Sequence, residues 1–354
     1  MSSMHTNIIA KAFIPALRQK CLSNGGVSSV CLVSSLLLIV ASLFSMPVHA
    51  QSDTRLTEAR SLLTQNNTAA AETTIRSYLH ENPNSADAHF LLAYTLFREK
   101  QAVDSLAEYT TAARYRKPGA EDLMAIGADY VLLNDNGDAD RLFMQVTTIQ
   151  PDNELAWYYL GRARFYENRY EDAIRDFEIC QRLKPRDVSA ETNLGLSYQE
   201  LGRDIEAIAA YRQAIDWDKQ ADLHDGQPYL DMGILLRKER RTTESLNYLE
   251  SAVELEPNNP DARFELAKTY EELHRYKEAE AQLRSVFLFA PDASSVHFIL
   301  GRVLKAEGRV SEAEQEFAIT SKLNGTHSTK SVINFNLSDS PSINAGTADT
   351  PAPK

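Results

Sequence analysis

One small residue returns at a fixed interval through most of this chain: Ala59, Ala93, Gly127, Gly161, Gly195, Gly233, Ala267 and Gly301. Successive positions lie 34 residues apart, except for a 38-residue step between Gly195 and Gly233. Twelve residues after each comes a second small residue, at Ala71, Ser105, Ala139, Ala173, Ala207, Ser245, Ala279 and Ala313, with the same steps. A period of this length is one supersecondary unit, too small to bury an apolar face alone, so the units must stack into an array. That displaces the usual division of 354 residues into two or three globular domains.

The fourth unit shows how each is built. It carries Trp157, Leu160-Gly161, Ala173, Phe177, Cys180 and Pro185. Leu155–Tyr166 and Tyr170–Leu183 are both apolar at helical spacing, and the polar turn Glu167-Asn168-Arg169 separates them. Each unit is therefore a pair of antiparallel helices, with the small residues where the two cross. A larger residue four places after the second small one fills the space between units: Ile75, Tyr109, Phe143, Phe177, Tyr211, Leu249, Leu283 and Phe317. Proline closes most units, at Pro83, Pro151, Pro185, Pro257 and Pro291, with Pro118 one place late. It cannot continue a helix and biases its predecessor away from helical geometry. Lys219 takes that place in the fifth unit, where four extra residues enter near 220–228 and predict a solvated connector.

These residues resemble the tetratricopeptide repeat (TPR) family, whose 34-residue period and W-x-x-L-G…A…F…P pattern they follow. The resemblance covers about eight units, residues 52–324. Arg55 and His89 replace the tryptophan-like residue in the first two, and the first has Glu58-Ala59 in place of Leu-Gly. It implies an all-α, right-handed superhelical solenoid of helix-turn-helix units, with an inner groove lined by the first helix of each pair.

The ends differ from the array. Residues 1–50 contain Lys11, Arg18 and Lys20 but no acid, then an apolar run from Val27 to Met46 and the small residues Val48 and Ala50. This pattern predicts a signal peptide cleaved after Ala50, and hence a periplasmic or secreted protein. The alternative is an uncleaved, single-pass membrane anchor. Cys21 and Cys31 lie in the leader; Cys180, alone in the remainder, reads as a small packed core residue. Residues 325–354 are rich in Ser, Thr, Asn, Asp and Pro and read as a disordered tail. No capping helix follows the eighth unit, so Phe317 and Ile319 are expected to be partly exposed, or covered by the tail or by a second copy of the chain.

Chemistry is sparse. A formal charge of −12 with no basic block disfavours nucleic acid. No phosphate loop, H-E-x-x-H, C-x-x-C or G-x-S-x-G occurs, so no catalytic site, metal or cofactor is expected. Asn134-Asp135-Asn136-Gly137-Asp138 has Phe143 where a calcium loop needs a bidentate Glu, so it reads as an inter-helix turn. Asp222, His224 and Asp225 are three metal-ligand types on one connector, which leaves a metal site as the minor reading. His89 and His297, at the tryptophan position, read as packed structural residues.

The groove implied by the resemblance carries more. Its first half would present Phe90, Tyr94, Phe97, Tyr158, Phe165 and Tyr166 with Arg98 and Arg162; its second half would present Arg237, Lys268, Arg302 and Lys305. Aromatics with arginine are typical of binding hot spots. The competing reading is that many of these residues pack between first helices. The Lys/Asn clamp by which chaperone-binding members hold a C-terminal carboxylate is not supported: only Asn193 fits, with Tyr158, Arg162, Gln227 and Asp231 at the flanking places. The sequence thus points to a non-enzymatic exported scaffold that binds a protein or peptide segment and supports assembly of a complex. The alternatives are a membrane-anchored assembly factor and a subunit of an enzyme or export machinery.

Overall fold

The structure, a computed structural model, describes residues 48–327. The leader, apart from its last three residues, and the tail beyond His327 lie outside the described residues. Those described form sixteen α-helices and no strand, in two compact units that divide at Ala88. In the first, α1 (Val48–Thr64) and α2 (Thr68–Glu81) form one helix pair. The division falls in the first turn of α3 (Ala86–Arg98). The second unit continues with α4 (Ala102–Ala113), α5 (Ala120–Leu132), α6 (Asn136–Ile149), α7 (Glu154–Tyr166), α8 (Tyr170–Leu183), α9 (Val188–Glu200) and α10 (Asp204–Ala221). It ends with α11 (Gln227–Lys238), α12 (Thr242–Leu255), α13 (Pro260–Glu272), α14 (Tyr276–Val286), α15 (Ser294–Ala306) and α16 (Val310–His327).

Every pair turns in the same way. The residue seven places after the first small position has positive φ: Asn66, Lys100, Asn134, Asn168, Gly202, Arg240, His274 and Gly308. The next amide donates to a carbonyl five residues back, from Asn67 to Leu62 (2.9 Å) through Arg169 to Arg164 (2.9 Å) to Arg309 and Leu304 (2.9 Å). This is the Schellman closure, which satisfies the last carbonyls of the first helix. Asn134–Asp138 is one such turn, and Asp135 Oδ1 accepts from the Asp138 amide at 3.1 Å to start α6.

The large column forms the core. Ile75, Phe143, Phe177, Tyr211, Leu249 and Leu283 are fully buried. Phe317 is only half-buried and Ile319 is exposed, because no further pair stacks on α16 among the described residues. Ser is admitted to the second small column because its hydroxyl finds a carbonyl across the crossing: Ser105 donates to Ala93 (2.9 Å) and Ser245 to Gly233 (2.7 Å). Cys180 is buried, and burial pushes its thiol up to about 12.

The four extra residues are not mainly a loop. They lengthen α10 to 18 residues against 14 for α8 and α12, about one helical turn. With no proline at 219, the helix runs on until Asp222 stops it in the left-handed region at φ 54°. Only the short link 222–226 remains.

Candidate binding face on the first helices

From α7 to α15 each first helix touches the next first helix, and no two second helices approach as closely. The first helices from α7 to α15 therefore make the tighter, inner face, and side chains aimed away from their paired helices cover it.

How deep these side chains sit follows from the repeat. The residue three places before the small position leans on the large residue nineteen later: Phe90 on Tyr109 (6.0 Å between centroids), Tyr158 on Phe177 (6.0 Å) and Phe298 on Phe317 (5.9 Å). Such a residue roofs the core between units, and its neighbours decide how much solvent reaches it. Phe90 is 2% exposed, because the Arg116 guanidinium caps its ring at 4.0 Å. Its expected place in the groove is therefore corrected: Phe90 is core. Phe298, on the last first helix, is 45% exposed. Tyr158 lies between these extremes. It and Phe165 pack on Ile174, Phe177 and Leu194. Tyr94, Phe97, Arg98, Arg162, Phe165 and Tyr166 are likewise half-buried, neither core nor open surface.

Arg162 sits at the centre of the aromatic part. The run Tyr158-Tyr159-Leu160-Gly161-Arg162-Ala163-Arg164-Phe165-Tyr166 places aromatic rings at i−4, i−3, i+3 and i+4, the positions that share a helix face with it. Its guanidinium lies 5.8 Å from the ring centroids of both Tyr158 and Tyr166, and Nη2 donates to the Tyr166 hydroxyl at 3.4 Å. From the next first helix, Asn193 Nδ2 donates to the Tyr158 hydroxyl (3.4 Å) and to the Ser189 carbonyl (2.8 Å). Burial pushes the Tyr158 hydroxyl up to about 12, so it keeps its proton. No carboxylate lies within salt-bridge distance of Arg162 among the described residues.

The far half of the face is different. Arg237 on α11 pairs with Glu265 (2.6 Å) and Glu272 (3.0 Å) on α13. Lys268 pairs with Glu265 (2.7 Å), and Arg302 on α15 with Glu271 (3.0 Å). Three of the four cations expected to meet a partner are thus neutralised within the protein. Lys305 is exposed with no carboxylate in reach among the described residues. Glu265, the hub of this network, was not singled out in the sequence. Its signal is its place two residues before the small position Ala267, where Asn193 and Asp231 stand in other units.

The remaining candidates are structural. His89 Nδ1 lies 2.6 Å from Glu108 Oε2, and His297 Nδ1 lies 2.6 Å from Glu316 Oε2. His297 Nε2 meets the Pro291 carbonyl (3.1 Å) as Trp157 Nε1 meets that of Pro151 (2.9 Å). Among the described residues, no group of three or more His, Cys, Asp or Glu is placed to hold a metal, Asp222, His224 and Asp225 included. No described helix is long and apolar enough to cross a membrane.

Stacked two-helix units, with successive first helices in contact from α7 to α15, define the protein as an all-α solenoid of the scaffold type. Models of the tetratricopeptide repeat match residues 56–121, 158–222 and 236–297, together more than half of the chain. The chain belongs to the tetratricopeptide repeat family. It is 25% identical over 208 residues to anaphase-promoting complex subunit 3 of Schizosaccharomyces pombe, a match covering 58% of this chain and 30% of that protein. The chain thus spans less than a third of that relative's length. Among solved structures, a tetratricopeptide repeat protein from Parabacteroides merdae aligns with a TM-score of 0.60 at 13% identity, over 72% of this chain and 98% of that one. The anaphase-promoting complex hetero-tetramer Cut9–Hcn1 aligns at 0.55 and 17% identity, over 82% and 56%. At these identities the structural likeness shows the fold alone.

Proposed function

We propose that this protein is a non-enzymatic, exported scaffold that binds a protein segment along its first-helix face and holds it for assembly of a complex. The observation that carries the reading is the half-buried aromatic strip of α3 and α7, with Arg162 at its centre. Rings rooted in a core are already immobilised, so a partner gains their area at little cost in side-chain entropy. The relative that is a subunit of the anaphase-promoting complex supports a role in holding other proteins. Export rests on the basic, acid-free leader and the small residues before Gln51.

Photo-crosslinking tests the binding role. A photoreactive phenylalanine at Phe97 or Phe165 is expected to capture a discrete partner in the native cell extract. The same residue at Leu183, exposed on the second helix α8, is expected to capture none. Equal capture at all three positions would sink the assignment of the face. Mass measurement of the mature N-terminus tests export: Gln51 supports it, whereas an intact Met1 supports the membrane-anchored alternative.

A further inference from the structure

We propose that Arg162, flanked by Tyr158 and Tyr166, is the recognition subsite for an acidic side chain, Asp or Glu, of an extended protein segment bound along the first-helix face. The inference rests on the binding role proposed above and names the chemistry that the partner must carry there.

Three observations converge on it. The first is a contrast within one face. Arg237, Lys268 and Arg302 all pair with Glu265, Glu271 or Glu272. Arg162 is surrounded by rings instead, and one tyrosine hydroxyl, 3.4 Å away, is its recorded hydrogen-bond acceptor. A half-buried guanidinium has lost part of its hydration without gaining an anion, so an arriving carboxylate is attracted more strongly than by a solvated arginine.

The second observation is the direction of the hydroxyls. Tyr166 Oη accepts from Arg162, and Tyr158 Oη accepts from Asn193. Neither bond uses the tyrosine's own O–H, which remains a donor. The unused guanidinium N–H groups and these two hydroxyls offer donors to both oxygens of a carboxylate, whereas an amide could use them through one neutral oxygen and a lysine through none. The guanidinium fork is planar by its own delocalisation, and the rings on either side restrict its orientation, which favours bidentate recognition of a carboxylate.

Third, the far half of the face competes weakly. An acid entering there meets three glutamates, and at Arg237, Lys268 and Arg302 it must displace a pair already formed. The cation left over of the four, Lys305, is an exposed, solvated ammonium with no fork. An acidic side chain is thereby directed to α7, and this sets the register of the bound segment.

The test uses random 12-residue segments displayed inside a phage coat protein, so that none has a free C-terminus. They are selected on the full chain and on its Arg162→Gln and Arg162→Lys variants, whose folding is checked by circular dichroism melts. Segments selected on the native chain are expected to share one Asp or Glu position beside apolar residues. In the tightest of them, made as an end-blocked peptide, changing that acid to its amide should weaken binding about tenfold or more, as loss of a charge-assisted hydrogen bond predicts. The same change should matter less than about twofold on Arg162→Gln and to an intermediate degree on Arg162→Lys, which keeps charge without the fork. Segments that bind the face without an acidic position, or an acid preference that persists in Arg162→Gln, would overturn this inference and leave the binding role standing. Failure to select any segment that competes at Phe97 or Phe165 would remove both.

Discussion

Phe177 stands so close to Gly161 that a Cβ on the glycine would lie 2.8 Å from the ring. The same approach recurs between Gly127 and Phe143 (2.6 Å), Gly195 and Tyr211 (2.6 Å) and Gly301 and Phe317 (2.6 Å). The two columns read from the sequence are thus one contact, sixteen residues apart. Gly161→Ala should cost about 1–3 kcal/mol through overpacking. Phe177→Leu should offset part of that cost in the double variant, giving a favourable coupling in the cycle. Urea midpoints of the four proteins check this; a Gly161→Ala that unfolds like the native chain would show that the ring yields freely.

Gly202 ends its first helix at φ 70°, with nothing within 4 Å of a Cβ placed there. Any penalty at this site is therefore backbone strain alone. Gly202→Ala should destabilise by about 1 kcal/mol, the left-handed penalty less the entropy that glycine loses on folding. Arg240→Gly, at φ 65°, should be neutral or slightly stabilising by the same balance. Thermal unfolding under one buffer checks both, and the signs must differ from those of Gly→Ala at an ordinary helical position.

The array was legible because its small and large columns leave a signal in residue type. The turn column was only half legible. Asn66, Asn134, Asn168, Gly202 and Gly308 favour positive φ, but Lys100, Arg240 and His274 adopt it because the surrounding Schellman bonds impose it. The four-residue slip looked like a connector because periodicity stopped at a missing proline, yet four residues are close to one turn of helix and α10 absorbs them. Phe90 and Tyr158 hold equivalent places in their units. Which one is sealed depends on Arg116, a loop residue whose reach no repeat pattern encodes. The pairing of Arg237 and Arg302 was hidden for a similar reason: it joins different units, with Glu265 28 residues from Arg237, whereas Lys268 and Glu265 pair three residues apart on one helix.

Two buried acids make stability fall as pH rises. Asp129 is 0% exposed; burial pushes it up to about 7, against an opposing effect of the nearby Ser105 hydroxyl. Burial also pushes Asp231 up to about 7, although Gln227 Nε2 donates to one of its oxygens at 3.0 Å. An unfolded Asp titrates near 3.9, so between about pH 4 and 7 the folded chain retains protons that the unfolded chain releases. The contribution of each group is complete below about pH 4 and is lost as pH rises through about 7, with a slope of up to about 1.4 kcal/mol per pH unit. Asp129→Asn and Asp231→Asn should each flatten the profile. Urea midpoints at pH 4.5 and 7.5 decide it; equal slopes in the native chain and both variants would refute the assignment.

Arg164 joins three helices, donating through Nε to Asp140 on α6 (2.8 Å) and through Nη1 to Asp176 on α8 (2.7 Å). Burial pushes Asp176 up to about 6, and the Arg164 guanidinium opposes that rise. Arg164→Met should cost about 3–5 kcal/mol, because the aliphatic replacement leaves Asp176 buried without a counter-charge and Asp140 with only Arg169, at 3.4 Å. Adding Asp176→Asn should recover part of the loss. A single variant within about 1 kcal/mol of the native chain would show that water reaches the acids.

Tyr158 belongs at once to the core and to the face, so truncating it cannot report on binding alone. Its ring leans on Phe177 and packs edge-on to Tyr159, with centroids 5.6 Å apart. Its hydroxyl meets Asn193 at 3.4 Å. Tyr158→Ala should therefore cost about 1–3 kcal/mol, less than a fully buried aromatic because solvent already reaches part of the ring. Tyr158→Phe removes one long hydrogen bond and leaves the packing, so its melting should stay within about 1 kcal/mol of the native chain. Only the phenylalanine variant separates the roles. If the hydroxyl donates to a bound acid, Tyr158→Phe weakens selected acidic segments while leaving stability almost unchanged. A Tyr158→Ala variant that melts like the native chain would instead mean that the ring contributes nothing to the core between units, and that the whole aromatic strip is surface.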